Sequence, residues 1–314
     1  MKISIIGAAG TLGSCAAFNI IIHRMASELV LIDPWKNMLK AHYIDLKTAI
    51  TWQNIDVKMG EYPDLADSDI VVITAGAPAQ KVASRREFLP ANLPLIRENI
   101  ENINRYCPEA VIITATNPVD PLNYAAYLLS SLRDRRKIIG YSLNDTFRFR
   151  AISAELLGVR PSRVQGMVIG EHDESQVLLF SSLKQDGRPI MVDEAFKLAV
   201  REKAAGVLAE LESLQPKRAT GWTSAVGIVA IIRSIINDVG EIIPCNSVLQ
   251  GEYGLSGLSL TVPCVLGKHG IERIDQVPLN EEEKAGLERS AQILRPYVQY
   301  VEEQLGIVPS PSAA

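Results

Sequence analysis

Cysteine, histidine and aromatic side chains are all scarce in this chain. The four cysteines, Cys15, Cys107, Cys245 and Cys264, are scattered over 314 residues. No C-x-x-C pair occurs and no histidine stands at ligand spacing from any of them, so the sequence carries neither a zinc signature nor a disulfide framework. The expectation is no bound metal, and reduced thiols in a cytoplasmic compartment. A basic excess is missing too. The 32 Lys and Arg stand against 36 Asp and Glu, a net charge of −4, with no basic stripe to meet a nucleic acid. No apolar run reaches the roughly 20 residues of a membrane span, so no membrane partner is expected. The apolar start Ile3–Ile6 ends at Gly7, too soon for a signal peptide, and no arm precedes it. Trp35, Trp52 and Trp222 read as packing residues.

What is present is an ordinary globular composition in a chain longer than one core usually holds, so two domains are expected. In the first half short apolar runs alternate with helical patterns. Ile3–Ile6, Leu29–Ile32, Ile55–Met59, Ile70–Thr74, Val111–Thr114 and Lys137–Tyr141 read as strands; Leu12–Met25, Trp35–Trp52 and Leu93–Tyr106 read as helices. Continuous apolar strands separated by helices predict an α/β fold with a doubly wound parallel sheet covered on both faces. After Asn144 the pattern changes. Val164–Ile169 and Gln176–Leu183 read as strands, with a hairpin turn at Lys184–Gly187; helices are expected to dominate afterwards, over Val192–Leu214, Ser224–Val239 and Glu281–Leu305, the last capped by Asn280. The domains are placed at 1–143 and 144–314, the second being α+β.

Gly7-Ala8-Ala9-Gly10-Thr11-Leu12-Gly13 lies between the first strand and the first helix. Side-chain-free backbone at a helix N-terminus lets N–H groups approach a pyrophosphate. The spacing alone is weak, but twenty residues beyond Gly13 the second strand ends in Asp33, where a ribose-binding carboxylate belongs. Such a carboxylate repels a 2′-phosphate, which favours NAD over NADP. Further on come Thr116-Asn117-Pro118-Val119-Asp120, then Asp145-Thr146-Phe147-Arg148, then Gly170-Glu171-His172-Asp173-Glu174.

With these motifs in this order, from Met1 to about Gly306, the sequence resembles the L-lactate/L-malate dehydrogenases, and its Gly loop is most similar to the lactate-dehydrogenase-like malate dehydrogenases. The resemblance implies an N-terminal Rossmann domain that binds NAD and a C-terminal catalytic domain. It implies an oxidoreductase of carbon metabolism, such as the tricarboxylic acid cycle, acting on a small 2-hydroxy or 2-oxo acid, and a homodimer or homotetramer. Malate/oxaloacetate is the first expectation; lactate/pyruvate or a bulkier 2-oxo acid stays open. His172 matches the residue that takes the hydroxyl proton, and Asp145 the aspartate that orients it. Arg148 matches the arginine that grips the substrate carboxylate, Asn117 the asparagine beside the substrate oxygen and the nicotinamide, and Arg85 the arginine of a lid. Asn92 matches a lining residue of the cofactor pocket, to which Ala75, Gly76 and Thr116 are also assigned, and Thr223 a position near the substrate side chain. An imidazole titrating near neutrality suits a proton acceptor, and a planar guanidinium matches a carboxylate bidentately.

Two positions depart from the family pattern. Ala79 stands six residues before Arg85, where malate enzymes carry Arg and lactate enzymes usually Gln, so Gln80 or Lys81 would have to substitute or the pocket is roomier. Asp173 replaces the usual Gly after the histidine; pointing inward it would raise the His172 pKa and disfavour a dianion, and pointing outward it would do nothing. Asn144 also replaces an apolar residue. His23, His42 and His269 read as bystanders, Arg150 as a surface charge, and Asp145 as a helix N-cap as well as a catalytic partner. An NAD-binding regulator with an altered site is the competing class. An NAD- and metal-dependent glycosidase fits poorly, because Cys107 is misplaced and no cysteine neighbours His172.

Overall fold

The computed structural model describes residues 1–77, 85–214 and 221–307, without the side chains of 85, 208, 209, 211 and 212. Ala79 lies outside the described residues. The first half runs β1 (Lys2–Ile6), α1 (Thr11–Ile22), β2 (Glu28–Ile32), α2 (Lys36–Ala49), β3 (Asp56–Met59), β4 (Ile70–Ile73), α3 (Leu89–Tyr106), β5 (Val111–Thr114), α4 (Val119–Leu129) and β6 (Ile138–Gly140). These strands are parallel, in the order β3-β2-β1-β4-β5-β6. Ile5, Val72 and Ile113 stand side by side across β1, β4 and β5 and are wholly buried. Helices on both faces require this, and the runs are therefore apolar without alternation. The order reverses between β1 and β4, and the carboxyl ends of the strands at such a reversal are where doubly wound sheets bind ligands.

The second half runs α5 (Leu143–Leu156), β7 (Val164–Ile169), β8 (Val177–Gln185), β9 (Arg188–Pro189), α6 (Glu194–Ser213), α7 (Trp222–Asn237), β10 (Glu241–Gln250), β11 (Ser256–Gly267), β12 (Gly270–Ile274) and α8 (Glu281–Leu305). The β8–β9 hairpin turns through Asp186 and Gly187, both at positive φ, and Asn280 and Glu283 form a reciprocal capping box at the start of α8. The three helices expected after residue 192 are present as α6, α7 and α8, but three strands not expected there lie among them: β10, β11 and β12 extend the first sheet antiparallel beyond β6. Pro244 and Pro263 hid the strands, since proline demotes a central strand; they face each other in the ladder, so both missing donors fall at one level. The three tryptophans are 60%, 68% and 65% exposed in chain order, and are not core packing residues.

The junction of β6 with β10 has a single paired register, Asn246 opposite Gly140. Arg135, just before β6, reinforces it with bonds to Val248 O (3.0 Å) and to both Glu252 oxygens (2.9 and 2.6 Å). The Arg135 hydrogen bonds hold the Glu252 carboxyl down at about 2. A depressed carboxylate stabilises the fold above the ordinary carboxylate range, and that contribution is lost as pH falls from there towards 2. Glu252→Gln is expected to cost about 2–3 kcal/mol at pH 7, with the difference from the parent shrinking to about half near pH 3. Urea unfolding at both pH values measures it; a pH-independent difference would show that the charge on Glu252 is not what stabilises the junction.

Candidate active site

The loop after β1 is built without room for side chains. Gly7 has φ +91, and a Cβ there would lie 2.4 Å from Ala75 N; a Cβ on Gly13 would lie 2.3 Å from Gly7 O. Thr74, at the end of β4, donates to Ile6 O and Gly7 O (both 3.1 Å) and so pins the loop. Gly10 caps α1 with no side-chain hydrogen bond, and the first turn Thr11-Leu12-Gly13 carries no acidic residue. These main-chain donors suit a phosphate. Asp33 directly follows β2 and is buried; its Oδ2 accepts Ala9 N (3.0 Å) and its Oδ1 accepts Trp35 N (2.8 Å). Each carboxylate oxygen can accept twice, so capacity remains for ribose hydroxyls. The cradle and the acid together fit a dinucleotide.

The loops after β4 and β5 are held at a fixed spacing. Asn92 is buried on α3: its Oδ1 accepts Ala77 N (2.7 Å) and its Nδ2 donates to Asn117 O (2.6 Å). Thr116 Oγ1 donates to Ala75 O (2.6 Å), and Gly76 packs beside Thr116. Both ends of the Asn92 amide thus serve the protein backbone, while half-buried Asn117 begins the cis Asn117–Pro118 bond.

His172 follows β7 and is only 7% exposed, unlike the exposed His23 and His269 and the half-buried His42. Its Nδ1 lies 2.5 Å from Asp145 Oδ2. An ionised carboxylate only accepts, so the proton of that bond sits on Nδ1 and Nε2 is the acceptor of the neutral ring. Arg148, one turn on, donates to Asp145 Oδ1 (3.1 Å), so the three side chains form one connected series. Asp145 is not the N-cap of α5. That place is Ser142, and Asp145 sits in the first turn, where the helix dipole favours its charge. Thr146 Oγ1 accepts Val168 N (3.1 Å), which fixes α5 against β7. Gly170 exchanges both backbone bonds with Thr261 of β11 (2.9 and 3.0 Å), at φ +87 and with Ser290 where a Cβ would go. The glycine that matters beside the histidine is therefore Gly170.

Asp173 has a cation beside it. Its Oδ2 lies 3.8 Å from Arg86 Nε, and Arg86 also holds buried Glu171 (2.9 and 2.8 Å). Ser175 Oγ makes a further short bond to Glu171. Arg86 follows Arg85, which opens a 3₁₀ turn ending at Phe88. Asp120, the last residue of the T-N-P-V-D run, accepts His172 N (3.0 Å), and burial pushes its carboxyl up to about 7 against the pull of His172. Sequence reading missed Arg86 and Glu171, whose partners are far apart along the chain. It also missed the tie between α5 and α7: Tyr141 donates to Asn144 Oδ1 (2.8 Å) and Asn144 Nδ2 to Ser224 Oγ (2.9 Å). That tie sets exposed Thr223, in the first turn of α7, beside the start of α5. Arg150 is no free surface charge, since its Nε donates to Gly166 O (2.8 Å).

Two family models together match almost the whole chain. Residues 1–140 match the family model of the lactate/malate dehydrogenase NAD binding domain, and residues 143–305 that of the alpha/beta C-terminal domain. The chain is 36% identical over 299 residues to malate dehydrogenase of Natronomonas pharaonis, covering 93% of this chain and 97% of that one. It is 31% identical over 307 residues to L-lactate dehydrogenase of Clostridium perfringens, covering 95% and 96%. The crystal structure of Cryptosporidium parvum malate dehydrogenase superposes with a TM-score of 0.90 at 28% identity, covering 96% of this chain and 99% of that one. The chain belongs to the lactate/malate dehydrogenase family and is an NAD-dependent oxidoreductase acting on the CH–OH group of a 2-hydroxy acid.

Proposed function

We propose that the chain interconverts an L-2-hydroxy acid and its 2-oxo acid through His172, with malate and oxaloacetate as the pair. The observation that carries this is the His172–Asp145–Arg148 series. Arg148 grips the substrate carboxylate, Arg85 polarises the C2 oxygen, and Asn117 contacts that oxygen beside the nicotinamide. Nε2 of His172 takes the hydroxyl proton, and Asp145 stabilises the imidazolium that forms. Bound NAD supplies the nicotinamide that accepts the hydride leaving C2. Gly7, Gly10, Thr11, Leu12, Gly13, Asp33, Ala75, Gly76, Asn92 and Thr116 serve the cofactor, and Ala79 and Thr223 are assigned to substrate specificity, Ala79 by sequence position alone. Residues 1–143 are the cofactor domain and 144–314 the catalytic one.

Asp173 favours the dicarboxylate reading, because its pairing with Arg86 draws its charge away from the substrate. Ala79 favours the second reading, a monocarboxylic or bulkier 2-oxo acid, because alanine offers no partner to a second carboxylate. NADH oxidation over oxaloacetate, pyruvate and branched 2-oxo acids decides between them; no turnover with any of them, despite NADH binding, would leave the regulator reading. Ala79→Arg is expected to raise the kcat/KM ratio of oxaloacetate to pyruvate by at least about 30-fold, the scale of one buried charge pair. An unchanged ratio would place specificity elsewhere in the loop.

Among the described residues no helix is long and apolar enough to cross a membrane, and no group of His, Cys, Asp and Glu is arranged to hold a metal ion. We place the enzyme in the cytoplasm, in central carbon metabolism of the tricarboxylic acid cycle type. Exposed Phe18 and Ile22 on α1, and Trp222 and Val226 on α7, lie on two helices packed together and support a homodimer or homotetramer.

A further inference from the structure

A wholly buried hydrogen-bonded series ends at Asp120. Thr114 Oγ1 donates to Asn123 Oδ1 (2.8 Å), and Asn123 Nδ2 donates to Ser259 Oγ (2.9 Å). Ser259 Oγ donates to Asn246 Oδ1, and Asn246 Nδ2 donates to Asp120 Oδ1, both closely. Asp120 Oδ2 then accepts the His172 main-chain N–H at 3.0 Å. All five of these side chains are 4% exposed or less. Buried polar groups are costly where apolar ones would pack, unless the arrangement does something apolar ones cannot. The direction of the series shows what that is. Asn246 Oδ1 already accepts from Ser259, so Asn246 presents its amide N–H to Asp120, and every group behind it donates the same way. Four successive dipoles therefore point at one anionic oxygen pair. The first turn of α4, which carries Asp120, adds its own positive end.

We propose that Asp120 is a positioning residue for His172: it fixes the histidine main chain through its N–H and, when ionised, supplies a second negative charge that favours the protonated ring. The histidine is thus held at two points, by Asp145 at the ring Nδ1 and by Asp120 at the main chain. The proposal rests on His172 being the proton acceptor. Its members come from β5, α4, β10 and β11, so the sheet junction reaches the catalytic loop through them. Among the described residues, Glu171, Arg86, Asp173 and Tyr297 line one small cavity with Asp120 and His172, and Asp145 with Arg148 faces the ring from the other side. Arg86 is engaged by Glu171 and Asp173.

Asp120→Asn keeps an acceptor oxygen for the His172 N–H and removes the charge; the amides behind it can flip to follow. The chain has only four histidines, so the Cε1–H signal of His172 can be assigned by its loss in His172→Asn. In Asp120→Asn the midpoint of that signal is expected to fall by about one pH unit. The acidic limb of kcat/KM for hydroxy-acid oxidation should move down with it, while NADH affinity holds. Asp120→Ala, which also frees the main chain, is expected to lose at least about tenfold more plateau turnover than Asp120→Asn. The reciprocal measurement leaves residue 120 intact: carboxyl ¹³C titration should show the Asp120 midpoint rising when His172 becomes Asn, since coupling between two sites is mutual. A His172 midpoint unmoved in Asp120→Asn overturns the proposal, and so does an Asp120 midpoint unmoved in His172→Asn. Full turnover in His172→Asn would instead sink the reading of His172 as proton acceptor, and the two failures are separable.

Discussion

His172→Asn is expected to lower turnover by roughly 10²–10⁴-fold in both directions, with NADH affinity unchanged. The size follows from the chemistry. Oxidation of a hydroxyl leaves a proton that water accepts poorly near neutrality, whereas an imidazole accepts it at its own working pH. The separation of effects follows from the architecture. The proposed cofactor cradle comprises the loops after β1, β2, β4 and β5, and His172 follows β7, bridged to β11 through Gly170. Asparagine fills nearly the same space, so a site only 7% exposed need not collapse. Stopped-flow NADH binding and steady-state turnover in one preparation test both halves of the statement. Parental turnover would remove His172 from the chemistry, and lost NADH binding would show that the substitution disturbs the crevice as a whole.

The sequence made the cofactor half legible because each signal there is local. A buried parallel strand is a short apolar run, a phosphate turn is a glycine spacing, and Asp33 stands at a fixed distance from it. The Asn280–Glu283 box is local in the same way. What stayed hidden depends on long-range partners. β10 and β11 carry prolines that argue against strands until the two are seen opposite each other. Arg86 and Glu171 are 85 positions apart, and Asp120 and Asn246 are 126 apart, so no window of sequence contains either pair. Arg150 shares its helix with Arg148, yet one holds Gly166 O and the other Asp145. Two positions of helix rotation separate those outcomes, and only the packed faces decide between them. Asp173 shows the same limit: residue type alone left two directions open, and Arg86 supplies a third.

Arg148→Lys is expected to lower kcat/KM by roughly 30- to 5,000-fold, the equivalent of about 2–5 kcal/mol for breaking a buried charge-assisted pair. A charge is retained in this substitution, so the loss measures geometry. Lysine presents a point charge on a flexible stem, and a carboxylate in a fixed plane needs two parallel donors. The parent guanidinium is already held by NH1 on Asp145 Oδ1, one turn away on α5. Its remaining donors are therefore oriented before substrate arrives, and little rotamer freedom is left to lose on binding. Lysine at 148 loses this restraint and also deprives Asp145 of a partner, so part of the effect should appear in kcat as well as KM. The Asp145 component separates out through Arg148→Gln. It keeps a donor within reach of Asp145 but carries no charge for the substrate, and should raise KM most. A lysine variant with parental kcat/KM would mean that another cation grips the carboxylate, and Arg148 would then serve only to hold Asp145 in place.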